Sequence, residues 1–385
     1  MVSPQDERKM DNQISNPSRL VLEGVPQVHF YEGGKRCPED IPFPSVLRAC
    51  LEFMGEKDFG CKHCLAKNPD YKINCTYSYL LGTSGYAFFL SWKPGWHGGN
   101  VAFENMTTEA YAPYQRAFDS VGYGVEWVPK EEGRDNETVF RQRIIESIQK
   151  GLPALGFGVI GPPEPSIITG YDEGGEVLLG WSFFQKFPEF NAGVEFEPSG
   201  YFRKRGWFKD TETLGIITGK KERPPMGEIG RKALLWGLEV ARTPLVNDRH
   251  NGLAAYTAWA EHLLKDEDFP TDNEAVLREH HMVHNDTVGT VAEARWYGGQ
   301  FLIQMADPDN LHFKMAEELL QAAACFAGEH ELMWKVWDLA GGNGNPDAYK
   351  TMADPAVRRQ MVPIILQSRD KLAEATEHIE KALGK

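Results

Sequence analysis

The chain has little to bind a polyanion with. Its 41 lysines and arginines face 55 aspartates and glutamates, a formal net charge of −14, which disfavours nucleic acid and anionic membrane surfaces as partners. A cationic group such as an amine suits that balance better. No apolar run approaches the roughly 18 residues of a membrane span, and the opening Met-Val-Ser-Pro-Gln-Asp-Glu-Arg has no apolar core of a secretory signal. Six cysteines in 385 residues are too few for a disulfide framework. Together these absences lead us to expect a cytoplasmic protein with reduced thiols. Internal repeats and low-complexity tracts are also missing.

The elements that are present fall into two groups. Residues 1–18 are polar and without period, which predicts a disordered tail. Residues 19–221 mix helix and strand signals. A helix is expected over 45–54, with Pro44 and Ser45 at its start and Gly55 after its end. Strands are expected over 85–92, 123–129, 153–160, 200–207 and 213–219. Residues 137–150 have an amphipathic helical period that places Val139, Ile144, Ile145 and Ile148 on one side. Two further strands, 166–171 and 176–181, form a hairpin through Asp172-Glu173-Gly174-Gly175. After the charged linker Lys220-Lys221-Glu222-Arg223-Pro224-Pro225, residues 226–385 carry only helical signals, over 228–242, 251–264, 288–305, 314–339 and 354–383. The expected architecture is therefore α+β: a mixed domain with an antiparallel sheet, then an all-α bundle.

Two passages add a resemblance. One is Cys37 followed by the helix Leu47-Arg48-Ala49-Cys50-Leu51 up to Gly55, then Gly82-Thr83-Ser84-Gly85-Tyr86. The other is the hairpin Ile167-Ile168-Thr169-Gly170-Tyr171-Asp172 with Val177-Leu178-Leu179. Both resemble papain-like and bacteriocin-processing-type cysteine peptidases. The helical half, with Gly252-Leu253-Ala254-Ala255-Tyr256, Ala294-Arg295-Trp296-Tyr297 and Trp334, is similar to the C-terminal region of the butirosin-biosynthesis protein H family, whose first half is also papain-like. The resemblance implies thiol chemistry on an amide or thioester, either hydrolysis or aminoacyl transfer. It implies a small-molecule or peptide substrate, carrier-protein-bound in the named family, and no cofactor.

Carried over residue by residue, the resemblance makes Cys37 the nucleophile, beside Lys35 and Arg36, which favour a thiolate. The family spacing, counted back about five residues from Leu47, falls on Pro42, so Cys37 takes the role with an insertion before the helix. The strand position that holds histidine in the family is Glu164 here, and Gly180-Trp181 stand where aspartate or asparagine follows. The triad is thus altered at two of three places. Three solutions stay open: His97 pairs with Cys37, Glu164 acts as base with a pKa raised by burial, or the cleft binds without catalysing. In the last case Glu164, Trp92, Trp96 and Trp181, with Asp172, hold a small cationic molecule.

Two metal-ligand patterns compete with ordinary readings. Cys61-Lys62-His63-Cys64 with Cys75 offers three thiols and lacks a second C-x-x-C, so a reduced-thiol loop is the alternative to zinc. His280 and His284 share a helix face at i, i+4 spacing, where a polar helix end is the bland alternative. The tryptophans Trp236, Trp259, Trp296, Trp334 and Trp337 serve either as core or as a homodimer face of the helical domain. Gly341-Gly342-Asn343-Gly344 lacks the Lys-Ser/Thr of a phosphate loop and reads as a turn.

Overall fold

Pro42 and Pro44 cannot donate backbone hydrogen bonds that a first helical turn leaves unpaired anyway, and they open helix α1, Pro42–Phe53. A computed structural model describes residues 17–32, 38–56, 59, 74–307, 316–342 and 345–385. Residues 1–16 of the expected tail, Cys37 and the Cys61–Cys64 pair lie outside the described residues. In chain order the elements are β1 (Leu20–Val21), α1, α2 (Cys75–Ser84), β2 (Ser91–Trp92), α3 (Ala112–Val121), β3 (Tyr123–Pro129), α4 (Asn136–Gln149), β4 (Ala154–Phe157), β5 (Pro165–Asp172), β6 (Val177–Trp181), β7 (Val194–Phe196), β8 (Phe202–Arg205) and β9 (Thr213–Lys220). Then follow α5 (Met226–Arg242), β10 (Leu245–Val246), β11 (Arg249–Asn251), α6 (Leu253–Leu263), α7 (Glu274–Met305), α8 (Ala316–Leu339) and α9 (Pro355–Ala382). The fold is α+β, with an eight-stranded sheet ordered β3-β9-β4-β5-β6-β8-β7 plus β1 on β5, and a helical C-terminal part. Among the described residues no helix is long and apolar enough to cross a membrane.

The chain divides into two compact units, one built from Val128–Ile216 with the segment up to Gly24, the other from Val25–Trp127 with Ile217–Lys385. This differs from the boundary expected near 222–225. The reason is packing: α2 lies along α7 and α5, so the early helices belong with the late ones.

In the sheet unit, antiparallel neighbours β4, β5, β6 and β8 bury one face under α4. Phe140, Ile144 and Ile148, spaced i, i+4, i+8, meet Ile168, Leu178 and Phe202. Each fully buried side chain of this size stabilises by about 1.5–3 kcal/mol. Val139, expected on that face, is 41% exposed, because the buried stripe centres on Phe140. The β5–β6 hairpin is present as expected, with a register shift between Ile168 and Gly170.

In the helical unit, α7 runs 32 residues, about 48 Å, and packs against α2 and α8. Close approach of α2 depends on Gly82, where a Cβ would stand 2.1 Å from the Phe301 ring. Segment 85–92 is not the expected strand. It forms a short 3-10 turn at Tyr86–Phe88 and joins a sheet only at β2. The buried Arg295 guanidinium explains this, because it takes the carbonyl oxygens of Ala87 and Phe89 (2.5 and 3.4 Å) that a strand would offer to a neighbour. The same arginine meets Glu329 at 2.9 Å and donates to the Tyr256 hydroxyl at 2.8 Å, and that hydroxyl donates to Glu329. Against the all-helical expectation for residues 226–385, β10 and β11 form a hairpin whose second strand pairs with β2. Helix α7 also begins at Glu274, well before the apolar period at 288, and so includes His280 and His284.

Candidate active site

The start of α1 carries an acid and a base that most helices would leave in solvent. Glu39 and Arg48 are both buried, at 3% and 7% exposure, and form an ion pair at 2.8 Å. Ser45, one turn inside α1, donates its hydroxyl to the Glu39 carbonyl at 2.6 Å. These contacts fix the backbone of residues 39–41 so that the N–H groups of Asp40 and Ile41 point inward. Asp40 N–H donates to Glu293 Oε1 on α7 at 2.9 Å, and Ile41 N–H donates to the Tyr77 hydroxyl on α2 at 3.1 Å. The Tyr77 hydroxyl in turn donates to the same Glu293 oxygen. The Tyr297 ring stands edge-on to Tyr77, with centroids 4.6 Å apart.

Burial, followed by the neighbouring charge of Asp40, pushes the Glu293 carboxyl up to about 8, against the hydrogen bonds from Tyr77 and Asp40. Burial, then Glu293, also raises Tyr77 well above an ordinary phenol. Near pH 7 this array therefore holds a carboxylic acid beside a phenol. Oε1 accepts two donors, so the acid proton belongs on Oε2. A titratable group held near neutrality by its surroundings is suited to proton transfer.

The other sequence candidates are scattered. His97 is exposed in the loop between β2 and Asn100, which Arg249 anchors through Gly98 and Asn100. Trp92 and Trp96 do not line a ligand face: at 0% and 2% exposure they lie in the helical unit's interior, where Trp92 stacks on Trp259 and Trp96 on His280. Trp181 is buried in the sheet unit, edge-on to Tyr201. Glu164 is half-buried just before β5, its amide donating to the Pro162 carbonyl at 2.6 Å.

Asp172 is no partner for Glu164. The two stand at opposite ends of β5, roughly 26 Å apart at about 3.3 Å per residue. Asp172 instead accepts from Arg19 and Arg203, each at 3.0 Å. Burial works to raise its pKa, but these hydrogen bonds outweigh it and hold the carboxyl below its usual value. Nor can a side chain occupy 180, where the triad's third member would follow: a Cβ there would stand 1.8 Å from the Ile167 carbonyl oxygen.

The alternative metal residues are separately engaged. His284 is fully buried, accepts from the Trp259 indole at 3.2 Å, and is pushed down to about 3 by burial. His280 and His284 join no three-residue ligand cluster among the described residues. Cys75 is the first residue of α2. Burial pushes the Cys50 thiol up to about 12, which makes it a poor nucleophile.

Sequence reasoning missed Glu293 and Tyr77. The one available signal was Glu293 and Arg295 standing inside an otherwise apolar, small-residue helical run, where charges need partners. No protein-family model matches the chain, and no curated protein gives a significant match.

Proposed function

We propose that the chain is a papain-like thiol enzyme that acts on an amide or thioester, as a hydrolase or aminoacyl transferase, with Cys37 as nucleophile and an acid–base group that replaces the usual histidine. The observation that supports this reading most is the Glu293–Tyr77 array, which binds the backbone of Asp40 three residues after Cys37. The Cys37 thiolate attacks the carbonyl carbon, and the leaving amine or thiol takes a proton from the neutral Glu293 carboxyl. Water or an acceptor amine then attacks the acyl-enzyme, returns a proton to Glu293 and frees the thiolate. The order of elements, with a helix following the cysteine and an antiparallel sheet later in the chain, supports the papain-like assignment. The net charge of −14 suits an amine acceptor.

Iodoacetamide labelling of the native protein tests the nucleophile. Cys37 is expected to alkylate faster than every other thiol, with Cys50 and Cys325 slowest because burial raises both. Peptide mass spectrometry over a time course reads the order. A Cys37 thiol no faster than the rest contradicts the assignment.

The competing reading, a cleft that only binds a small cationic molecule, rests on Glu164 standing where the histidine would be. Binding of a quaternary amine that Glu164→Gln abolishes, together with no acyl transfer, would favour it.

A further inference from the structure

Helices α8 and α9 pack side by side and present a cluster that the proposed thiol chemistry does not use. Glu318 and Cys325 are seven residues apart on α8, and Glu374 and His378 four apart on α9, so each pair shares a helix face. One ligand atom from each of Cys325, Glu374 and His378 lies within 4.8 Å of the other two. We propose that these three residues bind a single divalent ion of the zinc class, with a water or exogenous ligand as the fourth donor.

The donor set decides the class of ion. One thiol, one imidazole and one carboxylate favour zinc, cobalt or similar borderline ions over calcium and magnesium, which take oxygen. At zinc bond lengths of about 2.0–2.3 Å the ligand atoms of a tetrahedron stand roughly 3.3–3.8 Å apart. Side-chain rotation of about 1 Å therefore closes the site without moving either helix.

The ring is already oriented. Glu318 Oε2 lies 2.6 Å from His378 Nδ1, an arrangement that holds the imidazole and leaves Nε2 for the ion. Lys371 engages Glu374 Oε2 at 2.7 Å, and the Cys325 thiol hydrogen-bonds to the same carboxylate, which already brings two of the three donors together. Access is one-sided: Cys325 is 5% exposed, whereas the Glu374 side chain is 48% exposed, so the ion enters and a water stays on the Glu374 side. Without metal the Cys325 thiol is pushed up to about 11 by burial and then by Glu374. Binding therefore displaces the thiol proton into solvent.

The test is a cobalt(II) titration of the full-length, reduced protein, followed in the near-ultraviolet thiolate-to-cobalt charge-transfer region, with zinc added to displace the cobalt. We expect one equivalent of cobalt, a charge-transfer band, and loss of the band on zinc addition. Cys325→Ser is expected to abolish the band and His378→Ala to weaken binding strongly. Glu318→Gln, acting through the ring, is expected to lower affinity about 10–100-fold. Circular dichroism of each variant confirms the helices. A Cys61→Ser/Cys64→Ser variant is expected to keep the band. No band in the parent protein, a band that survives Cys325→Ser, or one lost in the Cys61/Cys64 variant overturns the site.

Discussion

Arg295→Met is expected to lower the free energy of unfolding by about 3–5 kcal/mol, because it removes one partner of a buried ion pair. Arg295 and Glu329 are both completely buried, and the arginine also satisfies the Tyr256 hydroxyl and the carbonyls of Ala87 and Phe89. Removing it leaves Glu329 without its cation. Burial already raises the Glu329 pKa, with Arg295 opposing that rise, so the variant takes up a proton there instead of keeping the charge. The two carbonyls lose their donor as well, and each unsatisfied buried group costs about 1–3 kcal/mol. The double variant Arg295→Met/Glu329→Leu is expected to recover only the part that comes from the unpaired carboxyl, because the Ala87 and Phe89 carbonyls stay without their donor. Urea unfolding at pH 7 measures both. A single-variant loss below about 1 kcal/mol would mean the network contributes little.

Stability is expected to fall by about 1.6 kcal/mol between pH 6.5 and pH 8, at a slope that starts at about 1.4 kcal/mol per unit and halves by pH 8, and Glu293→Gln is expected to remove that fall. In the folded state Glu293 titrates near 8, whereas an unfolded glutamate titrates near 4.3. Between these values the folded protein holds the extra proton, so stability decreases as pH rises through that window. His284 acts in the opposite direction. Its folded value near 3 lies below the unfolded value near 6.5, so the unfolded chain holds the extra proton and stability increases with pH over that interval. The two slopes oppose each other from about pH 4.5 to 6.5, and above that the His284 contribution no longer changes with pH. If Glu293 supplies the leaving-group proton, turnover should show a descending limb near pH 8. Glu293→Gln should then cost about 10²–10⁴-fold in rate at pH 7. Unchanged turnover with an altered stability profile would assign Glu293 a structural role only.

What the sequence showed of this fold follows how local each feature is. Helix α4 and the β5–β6 hairpin were legible because period and turn chemistry lie within 20 residues or fewer. Segment 85–92 was misread because its aromatic, apolar composition fits a strand, while the partner for its carbonyls is Arg295, more than 200 residues away. The start of α7 was missed because His280, His281, His284 and Asn285 interrupt the apolar period, although His284 and Asn285 are buried. The candidate site was the least legible feature. Asp40, Tyr77 and Glu293 come from three separate stretches, and a carboxyl pKa near 8 arises only when burial brings them together. Among the sequence-derived site residues, Trp92 and Trp96 were good aromatic candidates by composition, and core packing claimed them instead.

The most direct measurement for a thiol acyl enzyme is intact-protein and peptide mass spectrometry after brief incubation with an aminoacyl thioester of a pantetheine analogue, quenched in acid. The account predicts one acyl adduct, located on the peptide that contains Cys37, absent in Cys37→Ala and accumulating in Glu293→Gln, where release of the acyl group slows. No adduct in the parent protein, or one that persists in Cys37→Ala, would contradict it.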